Sequence, residues 1–237
     1  MPITLPTEKH QAETGWPKYS SYLIAGAPKI GKTLFTEQWP KCLILNLEKG
    51  GCKYVSKAPV LDIKSWEELQ EAYALLRKQG NKIPYETIAI DTIDVVNEWA
   101  EQKTCTELGI VQMGEAGYGA DWGGSRDKVL SIIKAFQQLP VNLLIVSHSR
   151  WAIINDVKIG HTIDLPGKLS RFAMAAIDNI LFIITEKGKR KLIFQPTEGI
   201  EAGSRNPVLN KAGSCEFNYE ALRELFNNEE DTNADGK

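Results

Sequence analysis

The chain has 237 residues, 43% of them hydrophobic and 24% charged, with a net charge of −2. That length suits one α/β domain with a sizeable core. The near-neutral charge excludes a globally basic nucleic-acid binder, so any such contact needs a local patch or an oligomeric channel. Cys42, Cys52, Cys105 and Cys215 are scattered, with no C-x-x-C pair, which fits reduced thiols in a cytosol better than disulfides or a zinc site. The first residues carry no apolar signal-peptide core, and no uncharged run reaches the roughly 18 residues of a membrane span. The expected location is cytoplasmic, with no membrane contact.

In chain order, residues 1–19 read as a polar arm, 20–226 as a single core and 227–237 as an acidic, disordered tail. "SYLIAG" predicts a buried strand and "KTLFTEQW" the helix after it. "CLILNLE" and "APVLDI" predict two more strands. In "SWEELQEAYALLRKQG", Ser65 followed by Glu68 is a capping-box signature. "YETIAIDT" predicts a strand ending in an acid, and "DVVNEWAEQKTCTELG" a helix with Gly109 past its end. The stretch 113–125, "MGEAGYGADWGGS", is too glycine-rich for an element, and a helix is expected after it. "VNLLIVSHS" is a strand with a polar end, followed by a long irregular segment, 150–167. A helix, the strand "DNILFIITE", a hairpin turning at Lys187-Gly188 and a last helix, "NYEALRELF", complete the core. Continuous apolar strands alternating with helices predict a mostly parallel sheet with helices on both faces, extended by a C-terminal β-hairpin.

Gly26-Ala27-Pro28-Lys29-Ile30-Gly31-Lys32-Thr33 fits G-x-x-x-x-G-K-[ST], the P-loop, and sits between a strand and a helix as the mechanism requires. Its backbone N–H groups and the following helix dipole suit a phosphate. The expected nucleotide-binding set is Gly26 through Leu34, with Lys32 on the β- and γ-phosphates and Thr33 on Mg²⁺. Asp91, closing the apolar run "TIAID", is the expected second metal ligand, while Asp94 is available to cap the next helix. Glu48 ends the strand after the P-loop helix and His148 ends "LLIVSHS". Strand ends on that side of such a sheet face the active site. Glu48 is therefore the candidate general base, and His148 a candidate γ-phosphate sensor or holder of the attacking water.

This order of parts resembles a RecA-like ATPase core. The P-loop comes first, then a strand ending in glutamate ("LNLEKGG"), the Asp91 strand ("IAIDT"), and a strand with a polar sensor ("VSHSR"). Thr92 stands where many AAA+ proteins carry their glutamate, so the placement of Glu48 is of RecA type. More narrowly, "GAPKIGKT", "EKGG", "IDTID", "GYG" and "SHS" together resemble the small phage-type ATPases of single-strand annealing and recombination. The resemblance covers roughly residues 20–205. It implies ATP and Mg²⁺ as cofactors, single-stranded DNA as partner, a homo-oligomeric ring or filament, and a single-strand-binding protein as a candidate further partner. The segments it implies for DNA are 113–125, with Tyr118 and Trp122, and 150–167, with Arg150, Trp151 and Lys158; aromatics and cations together suit single strands. It also implies a cation supplied by a neighbouring subunit, with Lys189, Arg190 and Arg205 as candidates. Two other functions stay open: a regulatory or loader ATPase that does not bind DNA, and a P-loop kinase of nucleotides or small molecules. Scarce arginine and the lack of an obvious lid weigh against the kinase.

Overall fold

The structure, a computed structural model, describes residues 5, 7, 15–154, 157–197 and 199–234; the side chains of 154, 157–159 and 228–234 lie outside the description. β1 (Ser21–Gly26) runs through the glycine turn into α1 (Lys32–Thr36), followed by β2 (Cys42–Asn46), β3 (Val60–Asp62) and α2 (Trp66–Gln79). β4 (Thr87–Asp91), α3 (Ile93–Leu108) and α4 (Ala120–Gln137) precede a hairpin of β5 (Asn142–Ile154) and β6 (Val157–Ile163). Then come α5 (Gly167–Ala176), β7 (Asn179–Glu186), β8 (Lys189–Ile193), β9 (Gly203–Ser204), α6 (Pro207–Ala212), β10 (Ser214–Glu216) and α7 (Tyr219–Ala234).

The main sheet has the order β10-β8-β7-β1-β5-β4-β2-β3. All pairings from β7 to β3 are parallel, while β8 and β10 add an antiparallel edge. This is the expected α/β fold with its C-terminal hairpin. Parallel register aligns the carboxyl ends of the strands. Gly26 lies opposite His148, and Asn46 opposite Asp91, so residues far apart in sequence meet at one edge of the sheet.

Alternation along each strand divides the core in two. Leu23, Leu45, Ile90 and Ile145 face α2, α3, α4 and α5 through Leu69, Val96, Ile133 and Leu169. Tyr22, Ile24, Ile44 and Leu144 face α1, α6 and α7 through Phe35, Trp39, Leu209 and Phe226. Strands buried on both faces have no polar side to show, hence their unbroken apolar runs. Trp16 closes the second core, packing on Tyr22, Trp39, Tyr219 and Phe226.

Four elements differ from expectation. α1 is only five residues long. α4 begins at Ala120, inside the glycine-rich stretch, because Asp121 is fully buried and accepts from the backbone N–H of Gly114 and Trp122. Gly124 lies where α3 comes close: a Cβ there would stand 3.2 Å from Thr104 Cγ2. Within 150–167, expected to be irregular, residues 150–154 and 157–163 pair as β5 and β6 of a hairpin, with Arg150 opposite Thr162 and Trp151 opposite His161. Finally, α7 continues to Ala234, into the segment expected as tail from 227. The α2 start is as expected, with Glu68 N donating to Ser65 Oγ at 3.2 Å, although Glu68 Oε2 takes the N–H of Lys64 rather than that of Ser65.

Candidate nucleotide site

At the carboxyl edge of the sheet lies a cleft of about 590 Å³, lined by Lys32, Thr33, Glu48, Asp91, Thr92 and His148 among others. The P-loop forms its floor. Gly31 caps α1 with φ 106°, a left-handed conformation that side-chain-bearing residues adopt only with strain. Lys32 is 6% exposed and donates to the carbonyls of Gly26 (3.0 Å) and Ala27 (3.1 Å). Burial holds its ammonium below the usual lysine range, against the opposing pull of Asp91, Asp94 and Glu48.

Thr33 Oγ1 donates to Asp91 Oδ2 at 2.6 Å. Asp91 is 3% exposed, and burial pushes its carboxyl up to about 6 despite the threonine bond. A hydroxyl and a buried carboxylate side by side form a hard-oxygen pair that fits Mg²⁺, an ion that takes few protein ligands and completes its shell with water and phosphate. Thr33 and Asp91 would hold it. The Asp91–Thr92 peptide bond is cis.

Across the cleft, Glu48 Oε1 accepts from Thr92 Oγ1 at 3.2 Å and lies 3.8 Å from His148 Nδ1. His148 Nδ1 is 3.4 Å from Asp94 Oδ2, and that carboxylate also takes the His148 backbone N–H and the Ser147 hydroxyl. The hydrogen bond that the His148 ring donates to Asp94 raises the pKa of His148, with burial opposing it. Glu48, Asp91, Lys32, Thr33 and His148 are thus brought together as expected. Thr92, not Asp94, occupies the cap position of α3; Asp94 reaches sideways to the neighbouring strand instead. Thr92, Asp94 and Tyr54, which lines the same cleft, were not assigned from sequence. Thr92 had a signal in its place beside Asp91, whereas the partners of Asp94 lie on β5, more than fifty residues further along the chain.

The other expected residues divide among several places. Tyr118 and Trp122 line a second cleft of about 410 Å³ with Arg126 and Lys168. Tyr118 is fully exposed. Trp151 sits on the β5–β6 hairpin with its ring 4.0 Å from that of His161. Arg150 is tied to Asp164 (3.4 Å) and to the Leu165 carbonyl (3.0 Å). Lys158 lies in β6, but its side chain is outside the described residues. Arg205 donates to Asp178 and to the Ala175 carbonyl, close to the amino end of β7 and so at the opposite edge of the sheet from the P-loop. Lys189 is exposed beside the β7–β8 turn. Arg190 lies against the chain's own P-loop.

Among the described residues, no helix is long and apolar enough to cross a membrane. No curated protein matches the chain. Among solved structures, a KaiC-like protein from the hyperthermophilic archaeon Pyrococcus horikoshii OT3 is similar at 13% identity and a TM-score of 0.45, over 81% of this chain and 85% of that one. Residues 18–206, which hold every site residue described above, match the AAA domain family. That span is most of the chain, so the chain belongs to the AAA domain family and is a P-loop NTPase.

Proposed function

We propose that this chain is a Mg²⁺-dependent ATPase that acts as a homo-oligomer on single-stranded DNA, in the manner of the phage-type annealing and recombination ATPases it resembles. The observation that carries the ATPase reading is Glu48 facing the Thr33–Asp91 pair across one cleft, with Thr92 and His148 on its carboxylate. Bound Mg²⁺ would draw charge from the β- and γ-phosphates. Lys32 leaves the Gly26 and Ala27 carbonyls for the phosphates. Glu48 takes the proton of the attacking water, its carboxylate aimed by the Thr92 hydroxyl. His148, held by Asp94, sits where the γ-phosphate is sensed. DNA binding is supported by exposed Tyr118 and Trp122 beside Arg126 and Lys168, and by Trp151 on the hairpin that continues from the sensor strand. Aromatic faces stack bases while cations meet phosphates. Lys189 is the retained candidate for a cation supplied to a neighbouring site.

ATP turnover measured with and without single-stranded DNA, beside anisotropy of a labelled oligonucleotide, tests the reading. Stimulated turnover and nucleotide-dependent binding are expected, with Tyr118→Ala and Trp122→Ala weakening the binding. Hydrolysis without any DNA binding at low salt would leave the regulatory ATPase as the function.

A further inference from the structure

The β7–β8 hairpin returns an arginine to the phosphate loop of its own chain. Arg190 pairs with Thr185 across the hairpin and donates from Nη1 to the Ile30 carbonyl at 3.0 Å. Its guanidinium lies over the Phe217 ring, 4.8 Å from the centroid. Phe217 in turn stacks on Phe35 of α1, with centroids 5.1 Å apart and planes 27° apart. A continuous stack therefore runs from the helix behind the P-loop, through Phe217 and Arg190, to the loop's outer surface. Lys189 and Lys191 have the opposite parity on β8, and Lys191 is paired with Glu186 at 2.6 Å. Only the parity of Arg190, shared with Leu192 and Phe194 of the second core, directs a side chain to this side.

The Ile30 carbonyl and the Gly31 N–H belong to one peptide unit. A trans peptide is planar, and its C=O and N–H point in opposite directions. Holding the carbonyl outward therefore turns the Gly31 N–H inward, towards the space that the loop encloses. A charged donor on the carbonyl also polarises the unit, so its N–H becomes a stronger donor to an anion. A Cβ at position 31 would lie 2.6 Å from Arg190 Nη1, so a side chain there would push the guanidinium out of this contact.

We infer that Arg190 is a positioning residue acting in cis: it fixes the Ile30–Gly31 peptide so that its N–H faces the bound phosphate. The inference rests on the reading that residues 26–33 hold a nucleoside phosphate. It assigns Arg190 a role at its own subunit's site, in place of the neighbour-directed role considered from sequence.

The two roles separate in the monomer. Binding of a fluorescent ADP analogue, measured in dilution where the chain is monomeric, reads cis contacts alone. Arg190→Ala should weaken ADP about tenfold, equivalent to about 1.4 kcal/mol. Arg190→Lys, which keeps a charged donor, should recover part of that factor. A purely structural role would lower the melting temperature of both variants without this graded loss of affinity. Arg190→Gln, which retains a neutral donor, serves if the alanine variant does not fold, and should fall between alanine and lysine. Unchanged ADP affinity in Arg190→Ala or Arg190→Gln, alongside lost affinity in Lys32→Ala, would overturn the inference and leave the nucleotide site standing. Unchanged affinity in all of them would overturn both. Recovery of turnover on mixing Arg190→Ala with Lys32→Ala chains would also overturn it, because only a residue acting on its neighbour can be complemented that way.

Discussion

Asp91→Asn should make the nucleotide-free protein more stable at alkaline pH while abolishing its response to Mg²⁺ and ATP. The carboxyl of Asp91 is 3% exposed and is pushed by burial from its usual 3.8 up to about 6. That difference of roughly 2 units, at 1.36 kcal/mol each, amounts to about 3 kcal/mol. Because the folded value lies above the unfolded one, the native chain holds more protons than the unfolded chain between them. The resulting stability is fully present below 3.8 and lost as pH rises through about 6. At pH 8 the wild type therefore carries a buried charge that asparagine lacks. Thr33 Oγ1 can still donate to an asparagine oxygen, while the new amide hydrogens need partners, a cost of about 1 kcal/mol. The expected net gain is about 2 kcal/mol at pH 8, shrinking to nothing or reversing by pH 4. Urea unfolding at pH 4, 6 and 8 measures it. Adding Mg²⁺ and ATP should then stabilise the wild type, by about 2.7 kcal/mol at a hundredfold excess over Kd, and leave the variant unmoved. A variant less stable than wild type at pH 8, or a gap that does not narrow on acidification, would refute the burial argument.

Glu48→Gln should retain ATP binding and the Thr92 contact while turnover falls roughly 10²–10⁴-fold, the worth of a general base; a rapid-quench assay of phosphate release checks it. Asp94→Asn should lower the titration midpoint of His148, read by NMR of its ring proton, because the hydrogen bond donated to the Asp94 carboxylate is the main cause of the raised value. The stability that bond contributes is present below the unfolded histidine value near 6.5 and lost as pH rises through the folded one, so the variant should be weakened more at pH 6 than at pH 9. Gly160→Ala should release the β5–β6 hairpin from the core, since a Cβ there would lie 2.5 Å from the Gly199 backbone. It would break the bond from His161 N to Gly199 O and cost about 1–3 kcal/mol, with faster amide exchange along β6.

Sequence was informative wherever the signal was local. The P-loop is read from eight adjacent residues, and Asp91, Glu48 and His148 from their places at the ends of apolar runs. It failed where a partner far along the chain decides the conformation. Asp94 has the composition of a cap, yet its carboxylate reaches from α3 to Ser147 and His148 on β5. The glycines at 123 and 124 argue against a helix until the close approach of α3 supplies a reason for them. Arg190 sits in a basic run whose residues look interchangeable, and only the parity of β8 separates it from Lys189 and Lys191.

β5 is one strand of 13 residues. Its first half lies in the main sheet between β1 and β4, it carries His148 at the cleft, and it then leaves the sheet as one arm of the hairpin. From His148 to Ile154 it extends about 20 Å at ~3.3 Å per residue. Such an arm is a lever with its fulcrum at His148: a tilt of about 5° there carries the far end through about 2 Å. The contact between Gly160 and Gly199 acts on the other arm, β6, and so sets how much of that travel is transmitted and how much is absorbed. A displacement too small to notice at His148 would arrive at Ile154 magnified to the scale of a side-chain contact.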